Sequence, residues 1–248
     1  HRSSTRLVDE AVASLRHATQ HDIEIIAVTT GVIDPIPGVD QQVVYATEDF
    51  NFAEAINLGR QHASGDYLLL LNDDTSVANG DPITALLEIG QIPGVGITGA
   101  MLTYPDGRIQ HAGIVMLPTG PHHIHIARSG DYAGYFGSTL TPRNYSAVTA
   151  AAMLVRADLF DELGGFDTTF ARDYNDVDFC LRARERGLRV AWTPYAHFIH
   201  HEGSSIVRKA PAASETAEFQ RRWTVHYAVD PYYSPALKTD HDRLYEAR

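Results

Sequence analysis

Gly65-Asp66-Tyr67-Leu68-Leu69-Leu70-Leu71-Asn72-Asp73-Asp74-Thr75 is the stretch on which the fold turns. Ser64-Gly65-Asp66 opens it as a turn signal, and an apolar run extends from Tyr67 to Leu71 with no polar alternation. A strand buried on both faces of a mostly parallel sheet has this pattern. The run then stops in an amide and two carboxylates. Ligands of open α/β sheets sit beyond the carboxyl ends of the strands, so Asn72, Asp73 and Asp74 fall where a ligand would be. Carboxylates there suit a hard divalent cation, Mg²⁺ or Mn²⁺, and through it a phosphate-bearing substrate. The plainer alternative is an Asx-turn or helix cap, since Asp-Asp-Thr after a strand often caps the next element. This segment by itself does not separate the two.

Working outward, Leu7, Val8, Ala11, Val12 and Leu15 form a helical stripe within residues 5–17. Residues 23–28 are a buried strand with Thr29-Thr30-Gly31 at its carboxyl end, and residues 43–46 a short strand after a Pro/Gly turn. Phe52, Ile56, Gly59 and Ala63 share one face of the helix that leads into the quoted stretch. Beyond Asp74, a helix is expected over 82–89 and a strand over 95–102. Tyr104-Pro105-Asp106-Gly107 then turns the chain into one strand over 109–117. Residues 118–144, rich in Gly, Pro, His and Tyr, are expected as a long loop near the site. Residues 148–155 are a strand of small residues, and Gly164-Gly165 closes a short helix after it.

Residues 173–186 are expected as a helix, on which Asp176 and Asp178 suit the positive end of the macrodipole without any catalytic role. A strand over 188–192 leads to an exposed loop carrying His200 and His201, adjacent histidines that by type alone are more often solvated than metal-bound. A helix over 215–227 and the tail Asp230-Pro231-Tyr232-Tyr233 come last. The alternation of helix and strand implies an α/β fold with a Rossmann-like, mainly parallel central sheet flanked by helices. The pattern opens on a helix, so its first strand is expected to be missing.

The 248 residues suffice for one large domain or one domain plus an appendage. A formal net charge of -11 argues against nucleic acid as a partner and fits a substrate whose phosphates arrive metal-bound. Cys180 is the single cysteine, which excludes an internal disulfide and suits a reducing compartment. No apolar run approaches the roughly 18 residues that span a bilayer, and no signal peptide opens the chain. A cytoplasmic protein is expected, at the inner face of the plasma membrane if its acceptor is membrane-bound.

Several segments taken in order carry a resemblance. They are Phe50-Asn51-Phe52-Ala53-Glu54-Ala55-Ile56-Asn57-Leu58-Gly59, Leu71-Asn72-Asp73-Asp74, and Pro105-Asp106-Gly107-Arg108-Ile109-Gln110-His111-Ala112-Gly113. Asn144-Tyr145-Ser146-Ala147-Val148-Thr149-Ala150-Ala151, Asn175-Asp176-Val177-Asp178-Phe179-Cys180-Leu181-Arg182, and Thr193-Pro194-Tyr195-Ala196 leading to His200-His201-Glu202 continue the set, with Arg222-Trp223 and Asp230-Pro231-Tyr232-Tyr233 in the tail. Together they resemble the family-2 glycosyltransferases of A-type nucleotide-sugar fold, above all those that build bacterial O-antigen and rhamnose-containing cell-surface polysaccharides.

The resemblance implies an inverting, metal-dependent transfer from a nucleoside-diphosphate sugar, with dTDP-rhamnose as one candidate donor, to a saccharide or lipid-linked glycan. The resemblance runs from about Leu7 to Leu237; the polar, Ala-rich composition beyond Ser205 sets the expected division into a catalytic domain over residues 1–205 and a C-terminal helix and extended tail over residues 206–248. Asn72-Asp73-Asp74 occupies the DxD position, with an amide for the first carboxylate. Asp74 matches the metal ligand, His200 (less well His201) the histidine that completes the Mn²⁺ or Mg²⁺ site, and Asp176 the catalytic base. Asn72, Asp73, Asn57 and Thr29 match donor-binding positions.

Where the family carries Asp-Asn-Gly-Ser, this chain has Thr29-Thr30-Gly31-Val32. Threonine accepts a hydrogen bond but supplies no charge, so the nucleotide base loses an anionic partner. Two other readings stand beside the enzyme: a degenerate glycosyltransferase-like domain serving a larger protein as scaffold or glycan-binding module, and a metal-dependent hydrolase of nucleotide diphosphates.

Overall fold

In a computed structural model of the chain, the described residues are 5–31, 34–47, 49–201, 211–227, 229–239 and 244. Val32, Glu202, Gly203, Ser204 and Ser205 lie outside them, as does the division expected between residues 205 and 206.

The elements run in the order α1 (Thr5–Ala18), β1 (Ile26–Thr29), β2 (Gln41–Val44), α2 (Phe52–His62), β3 (Tyr67–Leu71), β4 (Thr75–Asn79), α3 (Pro82–Gly90), β5 (Val95–Thr103) and β6 (Ile109–His111). They continue as β7 (Ile114–Leu117), β8 (Gly120–His123), β9 (Arg143–Tyr145), β10 (Ala152–Arg156), α4 (Ala157–Glu162), α5 (Asn175–Glu185), β11 (Arg189–His200) and α6 (Ala213–Trp223). Local chemistry starts the helices where they start. Asn51 caps α2 by accepting from Glu54 N, and Asp81 caps α3 by accepting from Ile83 N and Thr84 N, with Pro82 in the first turn.

The α/β class expected from the sequence is the one observed. The central sheet has the order β3-β10-β5-β11-β4, with β6 on β5 and β9 on β11, and β1-β2 form a separate parallel pair. β10 runs antiparallel to both β3 and β5, and β11 runs parallel to β5. β3, β5 and β11 therefore point the same way, and their carboxyl ends meet at one edge, while β10 and β4 run against them. One face is closed by α1 and α3 through Leu15, Ile83, Leu86, Leu102 and Phe198. The other carries the larger core, where Phe160, Phe166 and Phe179 meet Phe219, Trp223, Tyr233 and Leu237 from α6 and the tail. No helix among the described residues is long and apolar enough to cross a membrane.

Several expected boundaries are corrected. β4 has no signal in the sequence: its polar Thr75–Asn79 is a strand because β11 pairs with it, Thr75 opposite His200. The single strand over 109–117 breaks at Ala112-Gly113, where Gly113 has φ +115 and a Cβ would meet the Tyr145 ring at 2.3 Å. The long loop contains β8, which folds back on β7 as a hairpin, and β9. Only the second half of 148–155 is a strand. β11 runs on through Pro194, whose missing N–H falls in the ladder irregularity between Thr193 and His197. That extension places His200 at a strand end, 7% exposed, rather than on a solvated loop.

Candidate functional site

The edge where β3, β5 and β11 end gathers side chains from distant parts of the chain. Asp74 lies in the turn after β3 and His200 is the last residue of β11; both are 7% exposed. His200 Nε2 is 3.0 Å from Asp74 Oδ1, and the Asn72 amide nitrogen is 3.2 Å from the same Nε2. The backbone reinforces this contact, as His201 N donates to Asp74 O at 2.9 Å. Gln110, on β6, places Oε1 2.8 Å from His200 Nδ1. Both ring nitrogens thus face oxygen acceptors, and a cation suits the gap between Nε2 and Asp74.

Two adjacent ligands of an octahedral cation at about 2.1 Å stand about 3 Å apart, the separation that Asp74 and His200 have. These two residues fit Mg²⁺ or Mn²⁺ as the protein share of a site completed by substrate phosphates and water. Among the described residues no group of three His, Cys, Asp or Glu side chains adds to them. Asp73 lies half-buried in the same turn.

Asp176 sits in the first turn of α5, whose start is set by Tyr174 at φ +65. Its Oδ2 accepts from Ala150 N at 3.2 Å and its Oδ1 from Val177 N at 2.8 Å. The segment 149–151 links this carboxylate to the Asp74 side, because Ala151 O accepts from Asn72 N at 3.1 Å. Thr149 N points at His111 Nε2, 3.4 Å away. Burial, with the His123 and His200 rings nearby, holds His111 well below the usual histidine range, so its ring is neutral and can accept. Asp74, His200, Asn72 and Asp176 are therefore drawn into one neighbourhood through a three-residue strap.

Asp178 serves differently. It is fully buried and accepts from Arg182 Nε at 2.7 Å, Trp223 Nε1 at 2.9 Å and Arg222 Nη1 at 3.0 Å, tying α6 to α5. α6 also steadies the approach to Asp176. Glu215 Oε2 accepts from Asp173 N at 3.0 Å, and the Phe219 ring stacks on Tyr174 with centroids 4.5 Å apart.

Two expected donor-binding residues are not brought into this contact set. The Thr29 hydroxyl donates to Gly31 O at 2.9 Å within its own loop. Asn57 clamps a turn instead: its Nδ2 donates to Phe166 O and its Oδ1 accepts from Phe166 N, both at 2.8 Å. A concavity of about 670 Å³, lined by Pro142, Arg143, Asn144, Pro231, Tyr232 and Ser234 among others, lies beside the tail and includes none of these residues. Gln110 and His111 stand inside one of the motif segments without a role legible from sequence, and Asp178 reads there only as a helix-end charge.

No family model matches the chain. An uncharacterized protein of Sinorhizobium fredii is 35% identical over 234 residues, covering 87% of this chain and 26% of its own length. The O-antigen biosynthesis protein RfbC of Myxococcus xanthus is 37% identical over 211 residues, covering 80% of this chain and 16% of its own length. The chain thus spans about a quarter or less of these two relatives. An N-acetylglucosaminyl-diphospho-decaprenol L-rhamnosyltransferase of Mycobacterium tuberculosis is 24% identical over 227 residues, 81% of this chain and 74% of its own. Among solved structures, a mannosyltransferase from Pyrobaculum calidifontis in complex with GDP-Man and Mn²⁺ aligns with TM-score 0.55 at 16% identity, over 91% of this chain and 60% of that one. GalNAc-T7 with UDP, GalNAc and Mn²⁺ aligns with TM-score 0.63 at 16% identity, over 88% of this chain and 45% of that one. At such identities these two likenesses speak to the fold alone.

Proposed function

The chain has a GT-A fold and fits the family-2 glycosyltransferases, and from that premise we propose that it transfers a sugar from a nucleoside-diphosphate donor to a saccharide or lipid-linked glycan acceptor in cell-surface polysaccharide synthesis. Rhamnose is the candidate sugar, supported by the name of the mycobacterial relative. The observation that carries the reading is the buried Asp74–His200 pair, 3.0 Å apart, joined to Asp176 through the 149–151 strap.

In this mechanism Asp74 and His200 would hold Mn²⁺ or Mg²⁺, which when bound would supply Lewis-acid compensation for the charge of a leaving diphosphate. Asp176 takes the proton of the acceptor hydroxyl as that oxygen attacks the anomeric carbon. The bond from that carbon to the diphosphate oxygen breaks in the same displacement, so the anomeric configuration inverts. Two backbone donors hold the Asp176 carboxylate, fixing its direction while leaving lone pairs for the incoming proton.

The second reading, a degenerate glycan-binding module, draws on Thr29, whose hydroxyl is turned onto Gly31 O. Donor turnover is measured with and without saccharide acceptor, and with Mn²⁺ or a chelator. Acceptor-dependent turnover that stops with chelator supports the transferase. Turnover to free sugar that ignores acceptor makes the protein a hydrolase, and no turnover with any nucleotide sugar leaves the module reading.

A further inference from the structure

The Gln110-His111 segment enters the site without a part in the transfer just described. Gln110 is 5% exposed and sits on β6, the short strand that folds back along the carboxyl end of β5 with an irregular register at Leu102/Thr103. That irregularity delivers its side chain to the end of β11, where Oε1 lies 2.8 Å from His200 Nδ1.

An amide oxygen can only accept, so the proton belongs on Nδ1 and the Nε2 lone pair faces Asp74 Oδ1 at 3.0 Å. Two lone-pair-bearing atoms at that distance are complementary only with positive charge between them. With Nδ1 unprotonated instead, Nε2 would carry the hydrogen and close a neutral-to-carboxylate bond with Asp74, which leaves nothing for a cation. The side chain opposite Nδ1 therefore chooses between an open ligand pair and a closed one.

We propose that Gln110 is a positioning residue that fixes the His200 tautomer, with Nδ1 protonated and Nε2 bare of hydrogen, and so prepares His200 and Asp74 to take a divalent cation together. The proposal rests on the metal-dependent reading of the site and names the group that makes the histidine competent. A partner of this kind orients the ring and raises its basicity, and its loss typically costs about 10- to 100-fold in metal affinity.

The test measures thymidine diphosphate affinity by calorimetry on the full chain, with and without Mn²⁺, so that the Mn²⁺-dependent enhancement is the readout. Gln110→Leu fills the same space without an acceptor, and Gln110→Glu keeps an acceptor at Nδ1. The expected result is an enhancement reduced roughly 10- to 100-fold in Gln110→Leu and retained in Gln110→Glu, with metal-free nucleotide affinity unchanged in both. An unchanged enhancement in Gln110→Leu overturns the proposal and leaves the metal reading intact, since Gln110 would then only fill space. Loss in Gln110→Glu equal to that in Gln110→Leu overturns it as well. A wild-type chain whose nucleotide affinity ignores Mn²⁺ overturns both the proposal and the metal reading. If Gln110→Leu does not fold, the nitrogen shifts of the His200 ring in the wild-type chain decide. Protonated Nδ1 supports the proposal and protonated Nε2 overturns it.

Discussion

Replacing Asp178 by asparagine tests whether the two acids of α5 have separate jobs. The carboxylate is fully buried and receives three donors, from Arg182, Arg222 and Trp223. In the Asp178→Asn protein the oxygen left at Oδ1 still accepts from the indole, but the new amide nitrogen opposes Arg182 Nε, donor against donor. Breaking a buried pair on one side costs about 3–5 kcal/mol. Here the lower end applies, because Arg182 keeps Leu163 O and Gly165 O, and Arg222 keeps Asp167 and Glu218. The two arginine side chains are also 20% and 26% exposed, so water reaches them. A loss of about 3 kcal/mol results, which for a domain of this size lowers Tm by roughly 6–12 °C. Urea unfolding monitored by tryptophan fluorescence reads it directly. Asp176→Asn is the matched control two residues away. It gives up one of its two backbone hydrogen bonds at a half-buried position, a loss of about 1 kcal/mol, well short of the Asp178 change, while transfer falls about 10² to 10⁴-fold. An Asp178→Asn protein as stable as wild type, or an Asp176→Asn protein with full turnover, would refute the division of labour.

Four further outcomes are expected. Asp74→Ala should weaken every nucleoside diphosphate alike in the presence of Mn²⁺, whereas Thr29→Asp should sharpen preference among bases by about one to two decades, the worth of one hydrogen bond to a charged group; a calorimetric panel of diphosphates checks both. Gly113→Ala should destabilise by about 2 kcal/mol or more, on the order of a strained backbone plus overpacking, since φ is +115 and the new Cβ would lie 2.3 Å from Tyr145; thermal melting measures it. Burial first, then the charges of Arg128 and Arg143, push His125 down from 6.5 to about 4. A depressed pKa means the folded state resists a proton that the unfolded chain accepts, so this stability is full above about pH 6.5 and is lost as pH falls toward about 4, by at most about 1.4 kcal/mol per pH unit. His125→Asn, which tolerates the φ of +58, should flatten that part of the stability profile.

Much of the scaffold is legible in the sequence because its signals are local. The apolar run Tyr67–Leu71 is a strand whatever lies beyond it, and the Asp81-Pro82 cap starts α3 from within its own turn. Asp74, Asp176 and His200 stand out through resemblance to ordered motifs, and the fold brings Asp74 against His200. By contrast, β4 is polar and exists as a strand only through β11, more than a hundred residues later. The β7–β8 hairpin hides in a Gly/Pro/His-rich text that periodicity cannot parse.

Charge, class, helix positions and the types of residue at the strand ends are thus properties of the sequence by itself, since each comes from composition or from spacing within one element. Partners are not. Asp176 and Asp178 lie about 200° apart around one helix, so the sequence required them to face different ways. Which faces the strap and which the arginines depends on where α6 docks, 45 residues on from Asp178. Gln110 became a histidine's partner only when β6 and β11 met across 90 residues of chain. Hydrogen bonds and ion pairs act over about 3 Å, and only the folded chain brings residues so distant in sequence within that reach.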